Sequence, residues 1–574
     1  MSAAVTHPLV AELVERHQAT LDAALAAAAS RDYWSPYPEF PKAYGESGAA
    51  DGKAAFEALL NLPFALDGHP ADGDLIGGEA SPYGVEMGIG YPHADADTLI
   101  AALLAARPGW AAATPLTRAA VCLEILARIN ARSHEFAHAV MHTTGQAYGM
   151  AFQAGGPHAQ DRGLEAVTYA YAEQTRLPAS AGWTKPQGKR DPLVMTKEFT
   201  VVPRGLALLI GCNTFPTWNG YPGLFASLAT GNPVLVKPHP RAVLPLALTV
   251  RTAREVLAEA GFDPNLVCLA AEHEGGTVAQ TLAVRPEVKL IDYTGSTAFG
   301  DWLEENARQA EVYTEKAGVN TVVVDSTDDY RGMLGNLAFS LSLYSGQMCT
   351  TPQNLLIPRT GIDTDQGAKS YDEVVTDLAG AIEGLLSDDA RATAVLGAVV
   401  NPGVLQRSVA AAGGEYGELA LAPRVVTSTE FPGATVRTPA LVKLDADKPD
   451  DRAVLRDECF GPVSFAVAVE STAAAVELLR DTVRTQGAMT ASGYTTSPEV
   501  EAALVEAALD SGVSLSLNLT GGVYANQTAA FSDFHGSGGN PAANAALCDG
   551  ALGDPSHPSG QLPCRLGDMA RDAE

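Results

Sequence analysis

The chain has 574 residues, which is too long for one compact core, so two or three domains are expected. Hydrophobic residues make up 46% of the sequence and charged residues 18%, the composition of an ordinary globular protein. The formal charge of −29 argues against nucleic acid and against an anionic membrane surface as the main partner, because both require clustered Lys and Arg.

The cysteine pattern and the first residues bear on the compartment. Seven widely spaced cysteines without a CxxC pair argue against a disulfide framework and against a thiolate metal site. The opening Met-Ser-Ala-Ala-Val-Thr-His-Pro contains no basic segment followed by an apolar run, and no uncharged apolar stretch is long enough to span a membrane. We therefore expect a cytoplasmic protein.

The N-terminal part of the chain is predicted to be mainly helical. Residues 8–30 have an Ala- and Leu-rich helical pattern, and the aromatic and proline cluster at 33–38 predicts an extended segment that packs on a surface. From Asp95 onward, apolar residues recur at three- and four-residue spacing, which predicts further helices. These helices are expected over 98–106, 116–131 and 133–142.

The histidines of the last helix, His134, His138 and His142, recur at every fourth position and would share one helical face. Imidazoles in such a row can bind a metal. However, no carboxylate or cysteine completes a ligand set in a recognisable motif. We interpret these histidines as packing residues and expect no metal site.

A doubly wound sheet is predicted between residues 204 and 300. The polar segment at 183–202 first indicates a projecting β-ribbon or linker. Short apolar strands then alternate with helical patterns, the clearest of which runs from 245 to 261 and ends at a glycine. The strands are expected at 206–211, 234–237, 266–271 and 288–293. This alternation is typical of parallel strands with crossover helices, so the predicted fold class is α/β.

The last of these strands runs into Thr294-Gly295-Ser296, a glycine turn before a helical pattern that begins at Asp301. Dinucleotide phosphates bind at such turns, because the helix N-terminus offers free N–H groups and a favourable dipole. The spacing to Gly300 differs from the GxGxxG fingerprint. Taken alone, the motif is therefore also consistent with a simple tight turn.

The strongest candidate for chemistry is Cys349, in Ser345-Gly346-Gln347-Met348-Cys349-Thr350-Thr351, between a glycine turn and an apolar run. Glu315 precedes it on a neighbouring predicted element. A thiol that attacks a carbonyl carbon must lose its proton, and it needs a base for a later proton removal and donors for the oxyanion. An isolated cysteine is usually a small buried apolar residue. In this context we predict a nucleophile at Cys349 and a base at Glu315.

Several motifs together resemble the aldehyde dehydrogenase superfamily over about residues 95–540. They are Gly231-Asn232-Pro233-Val234-Leu235-Val236-Lys237-Pro238, Thr294-Gly295-Ser296, Glu315, Gly346-Gln347-Met348-Cys349 and Glu458-Cys459-Phe460-Gly461-Pro462. Each lies at the distance that this family has. Within the superfamily the sequence is most similar to the PaaN subfamily of phenylacetic acid degradation proteins. The stretches that carry this second similarity are 212–222, 345–354 and 531–536.

The resemblance implies roles for individual residues. Cys349 would be the nucleophile and Glu315 the base that activates water. At the cofactor, Lys237 would hold the adenine ribose, and Gly295 and Ser296 would lie under the pyrophosphate. Glu458 and Phe460 would position the nicotinamide ribose and ring.

The resemblance also implies a division of the chain into segments. They are an N-terminal extension (1–94), a cofactor-binding domain (95–318, with 183–202 as part of an oligomerisation ribbon), a catalytic domain (319–515), a return segment to the cofactor domain and oligomer interface (516–546), and a mobile tail (547–574). The polar composition of 547–574 separately indicates the tail, and strand candidates at 354–357, 440–444 and 463–469 indicate a second α/β region that ends near residue 515. A homodimer or homotetramer is expected.

The oxyanion donor is where the sequence departs from the family. The family usually has Asn directly before Phe-Pro, preceded by tryptophan, whereas here Thr214 precedes Phe215-Pro216 and Asn213 stands one residue earlier. Counting back from Lys237 without a gap puts Thr214 in the donor position. Either a bulge brings Asn213 into place, or Thr214 or a neighbouring group donates. Glu315 is followed by Lys-Ala-Gly instead of the common Leu-Gly-Gly, which leaves the base itself intact.

The segment Lys237-Pro238-His239-Pro240 predicts NADP in preference to NAD. NAD-specific members commonly have a glutamate shortly after the lysine, where its carboxylate binds the ribose hydroxyls and repels a 2′-phosphate. Here that position is Pro240. Lys237 and His239 could then bind a 2′-phosphate with no neighbouring carboxylate to repel it. NAD remains the expected cofactor if an acid from another loop replaces the missing glutamate.

The resemblance implies an NAD(P)-dependent enzyme that oxidises a semialdehyde, free or CoA-linked, to a carboxylic acid. The PaaN similarity implies 3-oxo-5,6-dehydrosuberyl-CoA semialdehyde, from phenylacetate catabolism. Two alternatives stay open: a CoA-acylating aldehyde dehydrogenase, in which CoA takes the acyl group, and a non-catalytic scaffold. The first typically lacks the glutamate base, and the second is expected to lose the base or the cysteine. This sequence retains both Glu315 and Cys349.

Overall fold

The structure is a computed structural model that describes residues 8–316, 318–524, 530–531, 536–544 and 569–570. Apart from Met569–Ala570, the predicted tail at 547–574 lies outside the described residues, and so does most of the stretch 531–536. None of the helices in the described part combines the length and the apolar character that a membrane crossing requires.

The N-terminal extension packs against the rest of the chain through buried polar contacts. It contains α1 (Pro8–Ser30), α2 (Gly48–Glu57), β1 (Leu75–Ile76) and β2 (Tyr91–Pro92). The bounds of α1 confirm the prediction for 8–30. Glu79, before β2, accepts hydrogen bonds from the backbone N–H groups of Val243 and Leu244 at 2.5 and 3.0 Å. Ser35 donates to Asp161 at 2.6 Å, so the extension is fixed at more than one place.

A helical layer follows the extension. It consists of α3 (Ala96–Ala111), α4 (Pro115–Ala131), α5 (Ser133–Thr144), α6 (Tyr148–Gly155) and α7 (Pro157–Thr175). The first three confirm the predicted helices. Thr114 caps α4 by accepting the Thr117 N–H, and Pro115 fits the first helical position, where no N–H is needed. The histidines of α5 make packing contacts: His134 Nδ1 lies 2.6 Å from the Tyr148 hydroxyl, and His142 stacks on Phe56.

The polar segment forms a projecting antiparallel hairpin of β3 (Ser180–Gln187) and β4 (Arg190–Glu198), slightly earlier than the predicted 183–202. Almost all of its residues are exposed. The exposed side chains include the large apolar groups of Trp183, Leu193, Val194 and Met195.

The next sheet is five-stranded and parallel, in the order β7-β6-β5-β8-β9 among the described residues. Its strands are β5 (Leu206–Ile210), β6 (Val234–Lys237), β7 (Val267–Leu269), β8 (Val288–Thr294) and β9 (Glu311–Glu315). The connecting helices are α8 (Pro216–Ala229), α9 (Leu244–Glu259), α10 (Val278–Ala283) and α11 (Thr297–Asn306). This order confirms the doubly wound α/β fold.

The chain reverses its direction of winding between β5 and β8. Ligands of such sheets bind in the crevice outside the carboxyl ends of the strands at this switch point. Here β5 ends just before Cys212, β8 ends just before Gly295, and β9 ends at Glu315. The fold therefore brings most of the predicted site residues to one edge of the sheet.

A second, larger sheet follows, ordered β14-β17-β18-β12-β10-β19-β20-β21. Its strands and neighbouring short strands are β10 (Thr321–Val324), β11 (Ser326–Thr327), β12 (Asn354–Pro358), β13 (Asp363–Thr364), β14 (Glu418–Leu421), β15 (Val425–Val426), β16 (Val436–Arg437), β17 (Ala440–Asp445), β18 (Val463–Val469), β19 (Thr490–Tyr494), β20 (Ser514–Leu517) and β21 (Met569–Ala570). Its helices are α12 (Tyr330–Ser342), α13 (Tyr371–Leu385), α14 (Asp389–Leu396), α15 (Pro402–Ala412), α16 (Pro449–Arg456), α17 (Thr472–Gln486) and α18 (Pro498–Ser511). The strands predicted at 354–357, 440–444 and 463–469 are confirmed as β12, β17 and β18.

The segment after β20 returns to the first sheet. Ala543 forms an antiparallel bridge with Glu315, and the Lys316 N–H donates to the Ala542 carbonyl at 2.5 Å. Asn544 Oδ1 accepts the Thr314 N–H at 2.8 Å. These contacts fix the end of β9, and with it the backbone that carries Glu315.

Candidate active site

The loop that carries Cys349 begins with a left-handed turn. Tyr344 and Ser345 have φ values of 52° and 51°, and Gly346 follows at 63°. Non-glycine residues in this region are strained and persist only where the surroundings hold them. Ser345 Oγ donates to the Leu396 carbonyl at 3.1 Å, and a Cβ at position 346 would lie 2.3 Å from the Gly461 carbonyl oxygen. The turn is therefore set by tertiary contacts, and it aims the following residues at the first sheet.

Asn320 fixes the far side of this loop. Its Nδ2 donates to the carbonyl oxygens of Cys349 and Thr351 at 2.7 and 3.0 Å. Its Oδ1 accepts the N–H groups of Met489 and Thr490 at 3.0 and 3.1 Å. One buried amide thus ties the backbone of Cys349 to the start of β19. Asn320 is not among the predicted site residues.

Glu315 and Cys349 are in direct contact. Glu315 is 1% exposed, and the Cys349 thiol donates a hydrogen bond to its carboxylate. Burial raises the pKa of the Cys349 thiol well above its usual range, and the negative charge of Glu315 raises it further. The resting thiol is therefore protonated, and the group that can take its proton already touches it.

Asn219, in the first turn of α8, holds the other side of Glu315. Its Nδ2 donates to Glu315 Oε2 at 3.1 Å, and its Oδ1 accepts from Cys212 Sγ at 3.6 Å. The thiol donor on one side and the carboxylate acceptor on the other agree with this orientation of the amide. Burial raises the pKa of Cys212 to about 11, so that its sulfur is also protonated. Asn219 lies within the 212–222 stretch but is not among the predicted site residues.

A second buried carboxyl lies on the same face of the sheet. Thr294 is the register partner of Glu315, and Asp292 precedes it by one pleat, so the side chains of Asp292 and Glu315 point the same way. A Cβ at Gly223 would lie 1.5 Å from Asp292 Oδ2, so the carboxyl fits only because α8 has a glycine there. Burial raises the pKa of Asp292 to about 8, and the charge of Glu315 acts in the same direction.

The raised pKa of Asp292 predicts a pH-dependent stability change in Asp292→Asn. In the folded state the carboxyl keeps its proton up to about pH 8, whereas in the unfolded chain it loses it near its usual pKa of 3.8. Wild-type stability therefore falls between these pH values, by up to about 1.4 kcal/mol per pH unit for this group. We expect the Tm of Asp292→Asn, relative to wild type, to rise from pH 5 to pH 8 in thermal melts. Asp328→Asn, at an exposed position, is the matched control and should show no such trend.

The two candidate oxyanion donors point in different directions. The Asn213 amide donates to the Thr143 carbonyl at 3.4 Å, near the end of α5. Thr214 instead lies beside Cys212 Sγ, on the side of Glu315 and Cys349. Phe215 follows and packs edge-on against Tyr344 at 5.7 Å.

Gly295 and Ser296 form the turn between β8 and α11. The Gly295 N–H donates to the Glu315 carbonyl at 3.0 Å, and a Cβ at Gly295 would lie 2.4 Å from the Tyr293 hydroxyl oxygen. Ser296 is exposed at the N-cap of α11, and in the described part of the chain its hydroxyl makes no capping hydrogen bond. A tight glycine turn with an exposed hydroxyl at a helix N-terminus suits a pyrophosphate.

Glu458 and Phe460 line one small cleft together with Cys349. Gln353 fixes their loop: its Oε1 accepts the Cys459 N–H at 2.7 Å, and its Nε2 donates to the Asp457 carbonyl at 3.0 Å. Burial raises the pKa of the Glu458 carboxyl to about 7. The predicted nucleophile and the predicted nicotinamide-side residues are therefore neighbours.

Lys237 and His239 lie at the end of β6, outside the cluster around Cys349. Lys237 forms an ion pair with Glu272, which is not among the predicted site residues. His239 accepts the Arg241 N–H through Nδ1 at 3.2 Å. With the turn at Gly295, these residues extend along the carboxyl edge of the sheet, as a dinucleotide requires.

A sequence model of the aldehyde dehydrogenase family matches residues 82–542. The fold is similar to the crystal structure of an NAD-dependent aldehyde dehydrogenase from Burkholderia multivorans, at 56% identity and a TM-score of 0.91, covering 94% of this chain and 96% of that chain. The chain is 25% identical over 357 residues to a 1-pyrroline-5-carboxylate dehydrogenase of Bacillus subtilis (strain 168), covering 59% of this chain and 64% of that protein, which is less than two thirds of its length. It is 26% identical over 395 residues to a vanillin dehydrogenase of Pseudomonas fluorescens, covering 67% of this chain and 75% of that protein.

Proposed function

This chain belongs to the aldehyde dehydrogenase family, and we propose that it oxidises an aldehyde to a carboxylic acid with a nicotinamide dinucleotide as the oxidant. The observation that carries the proposal is the hydrogen bond from the Cys349 thiol to the buried Glu315 carboxylate. This pair lies beside the cleft that contains Glu458 and Phe460. A nucleophile, a base and a place for a planar ring next to the reacting carbon are what the oxidation needs.

In the first half of the reaction, Cys349 Sγ attacks the aldehyde carbon. The thiol proton passes to Glu315, which already accepts a hydrogen bond from it, and then on to solvent, so that the carboxylate is free again for the second half. The product is a thiohemiacetal, whose oxygen carries the developing negative charge. When bound, the dinucleotide supplies the acceptor for the hydride that leaves this carbon, and the thiohemiacetal becomes a thioester on Cys349.

In the second half, water attacks the thioester carbon. Glu315 accepts the water proton, the carbon–sulfur bond breaks, and the acid leaves while the sulfur regains a proton. Asn219 keeps the carboxylate in place during both steps through its 3.1 Å hydrogen bond. A base in this position favours water as the acyl acceptor. CoA-dependent acyl transfer would not require it.

We expect Thr214→Ala to lower kcat/KM more than Asn213→Ala does. The Thr214 hydroxyl is on the side of Cys212 and Glu315, whereas the Asn213 amide is bonded to Thr143. Loss of one oxyanion donor typically costs roughly 10²- to 10³-fold in rate. Steady-state kinetics of the two variants give the order directly, with Thr214→Ser as the control that keeps the hydroxyl. The reverse order would assign the donor to Asn213.

For the substrate, we propose a semialdehyde, and specifically 3-oxo-5,6-dehydrosuberyl-CoA semialdehyde of phenylacetate catabolism. The support is the PaaN similarity of 212–222 and 345–354; the third stretch, 531–536, is described only at its ends. Purified protein should be assayed for reduction of NAD and NADP across free and CoA-linked semialdehydes. The acid should form without added CoA. Formation of an acyl-CoA only when CoA is present would favour the CoA-acylating alternative.

We also propose that the chain forms a homodimer or homotetramer and acts in the cytoplasm. The β3–β4 hairpin supports self-association, because it projects Trp183, Leu193, Val194 and Met195 into solvent. Exposed apolar side chains on a projecting ribbon are typical of a surface that another chain covers.

A further inference from the structure

The carboxyl ends of β6 and β7 lie side by side. The two strands pair in parallel with Val236 opposite Leu269, so Lys237 and the loop after β7 are neighbours. This loop carries Glu272, whose Oε1 forms an ion pair with Lys237 Nζ. Lys237 is 4% exposed and Glu272 is 7% exposed. A carboxylate is thus built into the strand end at which the adenine ribose is expected.

Glu272 is held in this position by a second contact. Its Oε2 accepts the N–H of Val278, the first residue of α10, at 2.8 Å. Each carboxylate oxygen accepts more than one hydrogen bond, so both oxygens keep the capacity for a further donor. The Glu272 side chain is therefore held in place as a hydrogen-bond acceptor, unlike a flexible acid on the surface.

The neighbouring groups add no surplus positive charge. His239 uses Nδ1 to accept the Arg241 N–H, and burial lowers the pKa of its imidazole to about 4. It can donate one hydrogen bond, but it is neutral at physiological pH. Arg241 forms its own ion pair with Glu274. In this part of the described structure each cation is matched by a carboxylate.

The two dinucleotides differ only at the 2′ position of this ribose. A 2′-hydroxyl donates well to a carboxylate, whereas a 2′-phosphate needs a cation and is repelled by a nearby carboxylate. We propose that Glu272, in the loop after β7, replaces the glutamate that NAD-specific members commonly have at the position of Pro240. Its carboxylate makes this chain select NAD over NADP. The inference rests on the dinucleotide site proposed above. It reverses the preference that Pro240 alone predicts.

The test measures the dissociation constants of NADH and NADPH for the wild-type chain, in the absence of aldehyde, by fluorescence titration. We expect NADH to bind at least about tenfold more tightly, equivalent to about 1.4 kcal/mol. Glu272→Gln keeps an acceptor for Val278 and removes the charge. It should bring the two dissociation constants within about threefold of each other, and the kcat/KM ratio for NAD and NADP should change in parallel.

Glu255→Gln is the matched control, because it removes the same charge at an exposed position on α9. Its NADH preference should stay close to wild type. A wild-type preference for NADPH, an unchanged preference in Glu272→Gln, or equal shifts in both variants would overturn the role of Glu272. If neither dinucleotide binds the wild-type chain, the proposed oxidoreductase function itself fails. The wild-type measurement decides which dinucleotide is selected even if Glu272→Gln does not fold.

Discussion

Cys349→Ala is expected to abolish aldehyde-dependent reduction of the dinucleotide, by roughly 10⁴-fold or more. Without the sulfur no thiohemiacetal forms, so hydride has no tetrahedral carbon to leave. The backbone of the loop should survive, because Asn320 bonds to the Cys349 carbonyl oxygen and not to its side chain. Binding of the reduced dinucleotide should therefore be retained. Stopped-flow absorbance of the reduced cofactor, with titration of binding in parallel, measures both.

Cys459→Ala is the matched control, since Cys459 is buried and lines the same cleft. It should retain most of the activity. Single-turnover formation of reduced cofactor by Cys349→Ala at the wild-type rate would exclude the covalent mechanism. Loss of activity in both variants to the same extent would instead indicate general damage to the cleft.

The central strands and the nucleophile loop were accessible from local sequence patterns. β6 has the predicted bounds 234–237 because a central parallel strand is buried on both faces and must be continuously apolar. β5 is one residue shorter and β8 one residue longer than predicted. Such ends depend on pairing with neighbours and not on the local pattern. The strand β9, whose last residue is Glu315, was not predicted as a strand at all.

The residues around Glu315 could not be assigned from the sequence. Asn219 reaches the base only because α8 packs on β5 and β8, beside the end of β9. Asp292 shares the face of Glu315 only through the β8–β9 register. Neither of these contacts can be recognised from the spacing of the residues along the sequence. Gly223 likewise has no special meaning in the sequence, where it is only a residue that weakens a helix. Its role, which is to leave space for the Asp292 carboxyl, follows from the packing of α8 on the sheet.

The partner of Lys237 at the proposed adenine-ribose site also could not be predicted from the sequence. Among the chain neighbours of Lys237, Pro240 stands where an acid is expected. The partner of Lys237 in the structure is Glu272, from the loop after a different strand. Parallel pairing of β6 with β7 is what brings the two together. The choice between NAD and NADP therefore depends on the order of the strands in the sheet. A motif within a single strand does not contain that information.

Glu315→Gln is expected to leave a burst of reduced cofactor and to slow steady-state turnover by about 10²- to 10⁴-fold, the range for loss of a general base. Gln cannot take a proton from water, so the thioester accumulates. The substitution also removes the negative charge that helps to raise the pKa of Cys349. The thiol should then ionise at lower pH, and iodoacetamide should alkylate it faster near pH 8 than in wild type.

The alkylation rate separates this explanation from simple misfolding, because a distorted site would lose the burst and the reactive thiol together. Glu304→Gln provides the matched control: Glu304 bonds to the neighbouring Thr314 and Lys316 side chains but not to Cys349. It should keep wild-type turnover and wild-type alkylation. Wild-type turnover in Glu315→Gln would contradict its role in hydrolysis. A variant with neither burst nor turnover, but with normal binding of the dinucleotide, would instead place the essential proton transfer in the attack by Cys349.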